Sequence, residues 1–426
     1  MARTAEERGA EVPGGRAFLI FVLKAMKHPY RVEWKGSMSE IPKQAWDALA
    51  EPLPTPALEW EWLARLENSG SVCPDTGWLP AHLTVWQGTE LAAAAPLYVK
   101  GHSEGEFVWD YAWAEVASRL AVRYYPKLVG VSPATPVPGY RFLLAAGQDE
   151  EVLTGLMLEA IESFRAANRL SGVSFLYVDP GWQAAIEAHG YLAWRHQSFL
   201  WENEGYGSFE DYLARFDKNQ RRNIRRELQA VESQGVRLEL ANGERITREA
   251  LEQMVGFYEG TNDQFGPWAA RYLTPRFLPS LFEGFRHRIL LASAFRRGES
   301  RPVGMSFLLT KGQGLYGRYW GSRERIDSLH FAACYYEPIR WAIQNGVRRF
   351  DPGIGSEHKL RRGFRAVANH SLHRFADPRL RGVMQRHIER INSQQQEEID
   401  ALNRAVPFAE RRPETRPQPG SVRRTK

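Results

Sequence analysis

The sequence is poor in cysteine and contains no long apolar run. Only Cys73 and Cys334 occur among 426 residues, which excludes a disulfide framework and an all-cysteine zinc site. The apolar stretch AFLIFVL at 17–23 is too short to span a bilayer, and no small-residue cleavage pattern closely follows it. These absences predict a reduced, cytoplasmic protein without a transmembrane segment. Cys334 lies among apolar and aromatic residues, so we expect it to be a packing residue.

Positive charge is in excess only at the C terminus. The net charge is +6, and residues 410–426 contribute +4 of it through six basic and two acidic residues, which leaves +2 for residues 1–409. A nearly neutral globular part gives no general affinity for nucleic acid, and we expect no DNA partner. The Pro/Arg-rich end at 411–426 is typical of disorder. Residues 1–36 are expected to be a disordered or wrongly translated extension.

One order of predicted elements occurs twice. In each half, apolar strands joined by glycine-containing turns come first. A segment whose apolar residues follow the helical period comes next, then a glycine that terminates the helix, and then a buried strand. In the first half these are strands within 82–100 with a turn at Gln87–Gly88, a helix at 150–172 and a strand at 173–179. In the second half they are three strands within 288–321, a helix at 328–346 and a strand at 347–353.

The duplication predicts two similar α/β domains in tandem. We place them at 37–205 and 206–390, followed at 391–426 by a C-terminal helix and a disordered basic tail. Ser328 is the expected N-cap of the second long helix. Pro338 inside that helix predicts a kink or break near Glu337.

A basic helix is predicted between the halves, within 208–235. Ser208 begins a first helix and Gly235 ends a second one. The second carries five bases in nine residues, namely Lys218, Arg221, Arg222, Arg225 and Arg226. They form either a solvated face paired with nearby acids or an anion-binding surface.

Three ionisable side chains, Glu357, His358 and Lys359, follow the last predicted strand and two glycines. Amide formation requires a base for the amine, a donor for the oxyanion and a proton for the leaving group. Asp351 or Glu357 could be the base, His358 the base or its orienter, and Lys359 the ligand of a phosphate or of the oxyanion. The alternative is a solvated loop in which His358 packs on a neighbouring phenylalanine.

The strand at 315–322 and the helix after it carry further candidates. Alternation places Arg318 and Trp320 on one face and Tyr319 on the other. Tyr319 is either a proton donor to the leaving group or a core residue. His330 lies near the helix start, where a pocket would open.

Tyr335 and Tyr336 follow His330 by five and six positions. At that spacing neither can share its helical face, so at most one lines the same cleft. His370 and His373 have a spacing seen in metal sites, but there is no cysteine partner and no HExxH motif. We therefore expect no metal.

Several motifs together resemble those of the FemAB-like predicted N-acyltransferases of bacteria, which belong to the GNAT superfamily. The resemblance covers roughly residues 37–408 and rests on LYGRYWGS (315–322), LHFAACYYEPI (329–339), SEHKLRRGF (356–364), DTGWLP (75–80), GEFVWDYAWA (105–114) and RYYPKL (123–128). It implies two tandem GNAT-like (acyl-CoA N-acyltransferase) domains with mixed sheets. It also implies transfer of an aminoacyl group from tRNA to an amine, as in Fem enzymes that extend peptidoglycan precursors.

The donor is expected to be aminoacyl-tRNA, with no bound cofactor. An acetyl-CoA enzyme holds pyrophosphate on backbone N–H groups of a glycine-rich loop opening a helix. The corresponding stretches, GSRERIDS at 321–328 and SPATPVPG at 132–139, lack the spaced glycines. Acetyl-CoA remains the alternative donor, since arginine side chains can also hold phosphate. A non-catalytic protein that binds RNA or a phosphorylated envelope precursor is the alternative of another class.

The acceptor is expected to be an amine-bearing small molecule, peptide or cell-wall precursor. The residues that we assign to substrate binding are Arg318, Trp320, His330, Tyr335, Tyr336, Asp110 and Lys127. Of these, Asp110 and Lys127 are expected on loops of the first domain that face the acceptor. Donor phosphates are assigned to Arg221, Arg222, Arg225 and Arg226.

Overall fold

A computed structural model describes residues 29–266, 269–355 and 357–409. It contains an eleven-stranded mixed sheet and a four-stranded antiparallel sheet, with helices packed around both. The predicted α/β class is therefore confirmed. Within the described ranges, no helix combines the length and the apolarity that crossing a bilayer requires.

The strands are β1 (Tyr30–Lys35), β2 (Trp78–Pro80), β3 (His82–Gln87), β4 (Glu90–Ala95), β5 (Leu97–Lys100), β6 (Lys127–Gly130), β7 (Leu143–Leu144), β8 (Gly172–Phe175), β9 (Leu192–Glu202), β10 (Val236–Asn242), β11 (Ile289–Arg296), β12 (Pro302–Lys311), β13 (Gly314–Ser322), β14 (Arg349–Asp351) and β15 (Arg365–Phe375). The helices are α1 (Lys43–Ala50), α2 (Trp60–Asn68), α3 (Tyr111–Arg119), α4 (Glu150–Ala167), α5 (Pro180–Glu187), α6 (Phe209–Ala214), α7 (Lys218–Ser233), α8 (Arg248–Phe265), α9 (Phe277–Ser280), α10 (Phe282–Phe285), α11 (Leu329–Phe331), α12 (Glu337–Gln344) and α13 (Pro378–Arg404).

The predicted duplication is visible in strand pairing. Each half pairs two strands in parallel, β6 with β8 and β13 with β14. A helix lies between the partners along the chain, as parallel pairing requires: α4 in the first half, and α11 with α12 in the second.

The two halves exchange their last strands. In the large sheet the order is β10-β11-β12-β13-β14-β9-β15-β8-β6-β5-β2. Strand β9 follows β8 along the chain, yet it pairs with β14 and β15 of the second half. Strand β15 in turn pairs with β8 of the first half. One continuous sheet therefore joins the halves. The domain boundaries at 205/206 and 390/391 stay a prediction.

Two predicted terminal segments need correction. Tyr30–Lys35 forms strand β1 on β3, so an unstructured extension to residue 36 is wrong for this strand. The C-terminal helix begins at Pro378 rather than at residue 391, after the N-cap Asp377. Its Asn392 and Asn403 side chains bond to the backbones of β9 and β15, which fixes the helix on the exchanged strands. Residues 1–28 and 410–426 lie outside the described residues.

At the junction of the halves, Ser208 begins α6 and Gly235 ends α7, as the sequence predicts. The Ser208 hydroxyl accepts a hydrogen bond from the Asp211 N–H at the start of α6. Asp217 caps α7 in the same way, and Gly235 terminates it with a φ of +74°. That left-handed conformation favours glycine.

The helix that contains Pro338 is interrupted, as predicted, by a π-helical turn. Proline has no N–H group to bond to a carbonyl four residues earlier, and Ala332–Tyr336 forms a π turn immediately before α12. The predicted side-chain cap at Ser328 is wrong. Its backbone is left-handed, with φ of +64°, and its hydroxyl makes no capping bond.

Helix α8 packs on β13 so closely that Gly321 is required. A Cβ at Gly321 would lie 2.1 Å from the Phe257 carbonyl oxygen, whereas one at Gly256, on α8, would meet nothing within 4 Å. We expect Gly321→Ala to lower the free energy of unfolding by about 1–3 kcal/mol. Gly256→Ala should raise it by about 0.5–1 kcal/mol because alanine favours helix. Urea unfolding measures both, and an equal effect of the two would contradict the close packing.

Candidate active site

The candidate site lies where the parallel strands β13 and β14 separate. Tyr316 and Asp351 are their last registered pair, yet β13 continues to Ser322. The chain after β14 turns away through Gly353 into a 3-10 turn at Glu357–Arg362. Side chains rather than a backbone ladder therefore join β13 to this loop. We call the four residues at this junction, Arg318, Asp351, Gly353 and Lys359, the notch.

A β-bulge directs Arg318 into the notch. Phe307 pairs with Tyr319 and Leu308 with Gly317, which leaves Arg318 as the extra residue. Bulges redirect side chains in this way. The Arg318 side chain is 1% exposed, and its Nη2 lies 3.5 Å from Asp351 Oδ1. Among the described residues its Nε and Nη2 have no hydrogen-bond partner. Two buried cationic donors are thus available to an anion or an oxyanion.

Gly353 connects the other members of the notch. Its N–H donates to Asp351 Oδ1 at 2.7 Å, and its carbonyl accepts a bond from Lys359 Nζ at 2.6 Å. Its φ is +79°, and a Cβ there would lie 2.8 Å from the Gly317 carbonyl oxygen. Both observations require glycine. Asp351 and Lys359 are consequently held in fixed positions beside Arg318.

Lys359 is a buried lysine that can lose its proton near neutral pH. Burial and, to a smaller extent, the Arg318 guanidinium lower its pKa to about 8 against the opposing effect of the Asp351 carboxylate. The side chain lies beneath the loop, and the whole residue is 1% exposed. Lys359 can therefore act as a cation below pH 8 and as a neutral amine above it.

His330, Tyr335 and His358 form an aromatic group beside the notch. The Tyr335 hydroxyl and His358 Nε2 are 3.0 Å apart, and the His330 and Tyr335 rings are 5.4 Å apart. The prediction that Tyr335 cannot share the face of His330 is wrong, because the π turn brings residues five apart into line. Trp320 joins the group, with its ring 5.6 Å from that of His330.

Both histidines of this group are neutral at pH 7. Burial lowers the pKa of His330 to about 4, and neighbouring His358 adds to the effect. Burial also lowers the pKa of His358 to about 4, together with the Arg362 guanidinium. A neutral imidazole can orient a partner through a hydrogen bond, as His358 does with Tyr335.

Three predicted site residues lie away from the notch. Tyr319 packs in the core against Phe307 and Tyr258, on the other side of the sheet from Trp320. Glu357 is exposed at the first position of the 3-10 turn. The Tyr336 hydroxyl donates to Glu227 of α7 instead of facing His330. The solvated-loop alternative thus holds for Glu357 but not for buried Lys359.

Asp110 and Lys127 do not lie on loops open to an acceptor. Lys127 begins β6, and its ammonium donates to Ser103, Glu106 and Asp110 at 2.8, 2.8 and 2.5 Å. Both residues are at most 2% exposed. Burial opposes ionisation of Asp110, but Lys127 keeps its pKa below the usual value. The predicted substrate pair is therefore a buried ion cluster, whose three ammonium bonds are all internal.

Sequence reasoning missed Tyr177 and Arg362. Tyr177 follows β8 with a left-handed φ of +54°. Burial raises its pKa, the carboxylates of Asp351 and Glu106 raise it as well, and its hydroxyl donates to the Phe107 carbonyl at 2.7 Å. Arg362, in SEHKLRRGF, is 2% exposed and donates to the His358 carbonyl at 2.7 Å. Charged residues in a loop gave no sequence signal of such burial.

The basic block on α7 is mostly solvent-exposed. Arg225 pairs with Glu210 at 2.7 Å, and Arg226 donates to Asn223. No ion pair to Arg221 or Arg222 is present within the described ranges, although Arg221 is half-buried. This helix therefore presents several cations to solvent.

His370 and His373 lie three residues apart on strand β15 and therefore on opposite faces of it. Among the described residues no group of three metal-ligating side chains occurs. His373 lies between the hydroxyls of Ser174 and Ser371, at 2.9 and 2.7 Å. Cys334 packs against the hydrophobic cluster that contains Tyr335 and Phe350, and burial raises the pKa of its thiol to about 12. Both groups are therefore parts of the packed interior.

Comparison with known proteins identifies the family. A profile of the FemAB-like family, described as peptidoglycan biosynthesis/recognition, matches residues 37–410. The chain belongs to the FemAB-like family. As a member it is an N-acyltransferase. No curated protein matches the chain.

The chain is similar to several solved structures at low identity. FemX is 12% identical with a TM-score of 0.51, over 81% of this chain and 98% of that one. L-PGS from Bacillus licheniformis is 10% identical with a TM-score of 0.46, over 79% and 98%. A tandem GNAT protein from the clavulanic acid biosynthesis pathway is 13% identical with a TM-score of 0.41, over 82% and 99%. The likeness to FemX shows a shared overall fold.

Buried neutral histidines should make stability depend on pH. The pKa of His330 is about 4 when folded and ordinarily 6.5. The unfolded chain therefore binds more protons between these values, and stability falls as pH falls. His330→Phe keeps a ring but cannot titrate. Between pH 6.5 and 4, we expect the unfolding free energy of His330→Phe to fall less steeply with pH than that of the unmodified chain. The two slopes should differ by at most about 1.4 kcal/mol per pH unit.

Exposed His189 provides the control for this measurement. His189→Asn should leave the pH slope of chemical unfolding unchanged. If the His330→Phe slope equals that of the unmodified chain, His330 is not held neutral by burial.

Proposed function

We propose that the chain transfers an aminoacyl group from aminoacyl-tRNA to the amine of a peptide-bearing cell-wall precursor. The observation that carries the proposal is the notch, in which Arg318 offers two unbonded buried donors beside Asp351 and Lys359. Membership of a family described as peptidoglycan biosynthesis/recognition supports the acceptor class. The exposed cations of α7 support an RNA-bound donor.

Aminoacyl transfer requires charge to be stabilised on the ester carbonyl oxygen. The acceptor nitrogen attacks the carbonyl carbon, and the free N–H groups of Arg318 stabilise the resulting oxyanion. Asp351 is 9% exposed, and one of its oxygens is oriented by Gly353. We assign it to accept the proton of the attacking amine. The ester bond then breaks, and the tRNA ribose oxygen leaves with a proton.

Lys359 and His358 complete this assignment. Protonated Lys359 adds positive charge beside the oxyanion and can supply the proton to the leaving ribose oxygen. Neutral His358 holds the Tyr335 hydroxyl at 3.0 Å, which fixes the wall of the cleft. Exposed Glu357 is left without a part in the chemistry.

The basic face of α7 is assigned to the tRNA backbone. Phosphate contacts give affinity that falls with salt, independent of sequence. Arg222 and Arg226 are both exposed and four residues apart on one face of the helix. Side-chain cations on a helix face suit an extended phosphate backbone better than a single pyrophosphate.

Removal of two α7 cations should weaken donor binding. For Arg222→Ala/Arg226→Ala we expect at least about tenfold weaker aminoacyl-tRNA binding and a salt slope smaller by about two, one for each lost contact. Fluorescence anisotropy from 50 to 200 mM salt measures both. Arg386→Ala/Arg390→Ala removes two exposed arginines of the same spacing from α13 and should change neither. Equal affinity of both double variants for aminoacyl-tRNA would contradict the proposed donor. Binding of acetyl-CoA without any binding of aminoacyl-tRNA would contradict it as well.

Turnover should fall at alkaline pH as Lys359 loses its proton. Because burial holds its pKa at about 8, we expect kcat to decline above pH 8. Arginine stays charged, so Lys359→Arg should retain measurable turnover without that decline up to pH 9.5. Initial rates at saturating substrates, corrected for spontaneous ester hydrolysis, test this. A falling limb at the same pH in Lys359→Arg would exclude Lys359 as its source.

A further inference from the structure

Helix α7 has a buried face opposite its exposed cations. Ile224 is 0% exposed and Val231 is 4% exposed, and both pack in hydrophobic clusters. Glu227 lies between them along this face, with its side chain 21% exposed. It directly follows Arg226 in sequence, so one turn of helix presents a cation outward and a carboxylate inward.

Glu227 binds the arginine that holds the His358 backbone. Arg362 Nη2 lies 3.0 and 2.9 Å from the two Glu227 carboxylate oxygens, and Arg362 Nη1 donates to the His358 carbonyl at 2.7 Å. The Tyr336 hydroxyl donates to the same carboxylate. The Arg362 guanidinium also lies over the Phe331 ring, 3.4 Å from its centre. Helix α7 is thus bonded through one guanidinium to the loop that carries His358 and Lys359.

A second contact joins the same two segments. The Gln220 side-chain amide, one helical turn before Ile224, donates to the Arg361 carbonyl at 2.7 Å. Gln220 is 6% exposed. The 3-10 turn is therefore bonded to α7 at two points, and a displacement of the helix reaches the loop without an intervening flexible segment.

We propose that Glu227 is a positioning residue that couples donor binding on α7 to the geometry of His358 and Lys359. The inference rests on the proposed function, since it takes α7 as the donor-binding helix. Aminoacyl-tRNA on the outer face sets the position of the helix, Glu227 sets that of Arg362, and Arg362 sets the His358 carbonyl. Transfer is thereby favoured when the donor is in place.

Anchoring of α7 does not by itself require this ion pair. Ile224 and Val231 already bury the helix face, and buried ion pairs often contribute little to stability because both charges lose their water. The better-supported role of buried ion pairs is to specify one conformation among several. A single Arg362 nitrogen contacts both Glu227 oxygens, and such charge-assisted hydrogen bonds are short and strong, which suits the control of a loop.

Glu227→Gln tests the coupling because it keeps the shape of the side chain and removes its charge. We expect aminoacyl-tRNA affinity within about twofold of the unmodified chain and kcat at saturating donor at least about tenfold lower. The His358 ring resonance in NMR, assigned with His358→Gln, should move even without donor. Glu232→Gln lies on the same helix at an exposed position and should change none of these values.

A second variant protects the test against misfolding. Tyr336→Phe removes one hydrogen bond to Glu227 while the ring stays in the core. We expect a smaller loss of kcat in the same direction, with unchanged donor affinity. An unchanged kcat in Glu227→Gln overturns the coupling. A parallel loss of donor affinity and kcat overturns it too, because that result indicates that Glu227 only stabilises the fold.

Failure of the proposed function is recognised separately. If the unmodified chain transfers no aminoacyl group from tRNA, the proposed function is wrong. The NMR comparison still decides whether Glu227 controls His358: movement in Glu227→Gln but not in Glu232→Gln supports the link, and equal spectra overturn it.

Discussion

The early separation of β13 and β14 is the constraint on which the candidate site depends. Two parallel strands that stayed paired would satisfy their backbone groups and leave no space between them. Here the pairing stops at Tyr316 and Asp351, and side chains take the place of the missing ladder. Arg318 lies at this junction on a bulge, and Gly353 bonds to both Asp351 and Lys359. The junction is therefore polar, although Tyr316 belongs to one hydrophobic cluster and Phe350 to another.

Charge in this protein is divided between buried and exposed groups with different consequences. Lys127 is surrounded by partners that use all three of its donors, so its charge is compensated internally. Arg318 is equally buried but retains unbonded donors within the described ranges. The α7 cations face water. Overall net charge distinguishes none of these three states, which explains why composition alone gave little information on binding.

Much of the fold was predictable because its signals are local. Glycine turns, helix caps at Ser208 and Gly235, and the break at Pro338 all follow from backbone chemistry of single residues. The exchange of β9 and β15 was not predictable. The exchange joins residues far apart in sequence. The local sequence pattern of either strand would be the same if each strand paired within its own half.

The candidate site was predictable in part, because some of its signals are also local in the sequence. Asp351, His358 and Lys359 were singled out because ionisable residues follow an apolar strand, and the structure places them close together. Tyr335 was assigned to the wrong face because a π turn changes the residue spacing. Asp110 and Lys127 were expected to face an acceptor, whereas mutual neutralisation allows them to be buried. Which charges pair with each other is a tertiary property, and no local pattern in the sequence reveals it.

The exchange of strands has a consequence for synthesis on the ribosome. When β9 has emerged, neither of its neighbours exists yet, since β14 and β15 are the last strands to be made. The edge of β8 that will receive β15 is also still open. The first half thus holds three unpaired strand edges, which can associate with other chains, until residue 375 has left the exit tunnel. A nascent chain of this protein gains its continuous sheet only near the end of translation.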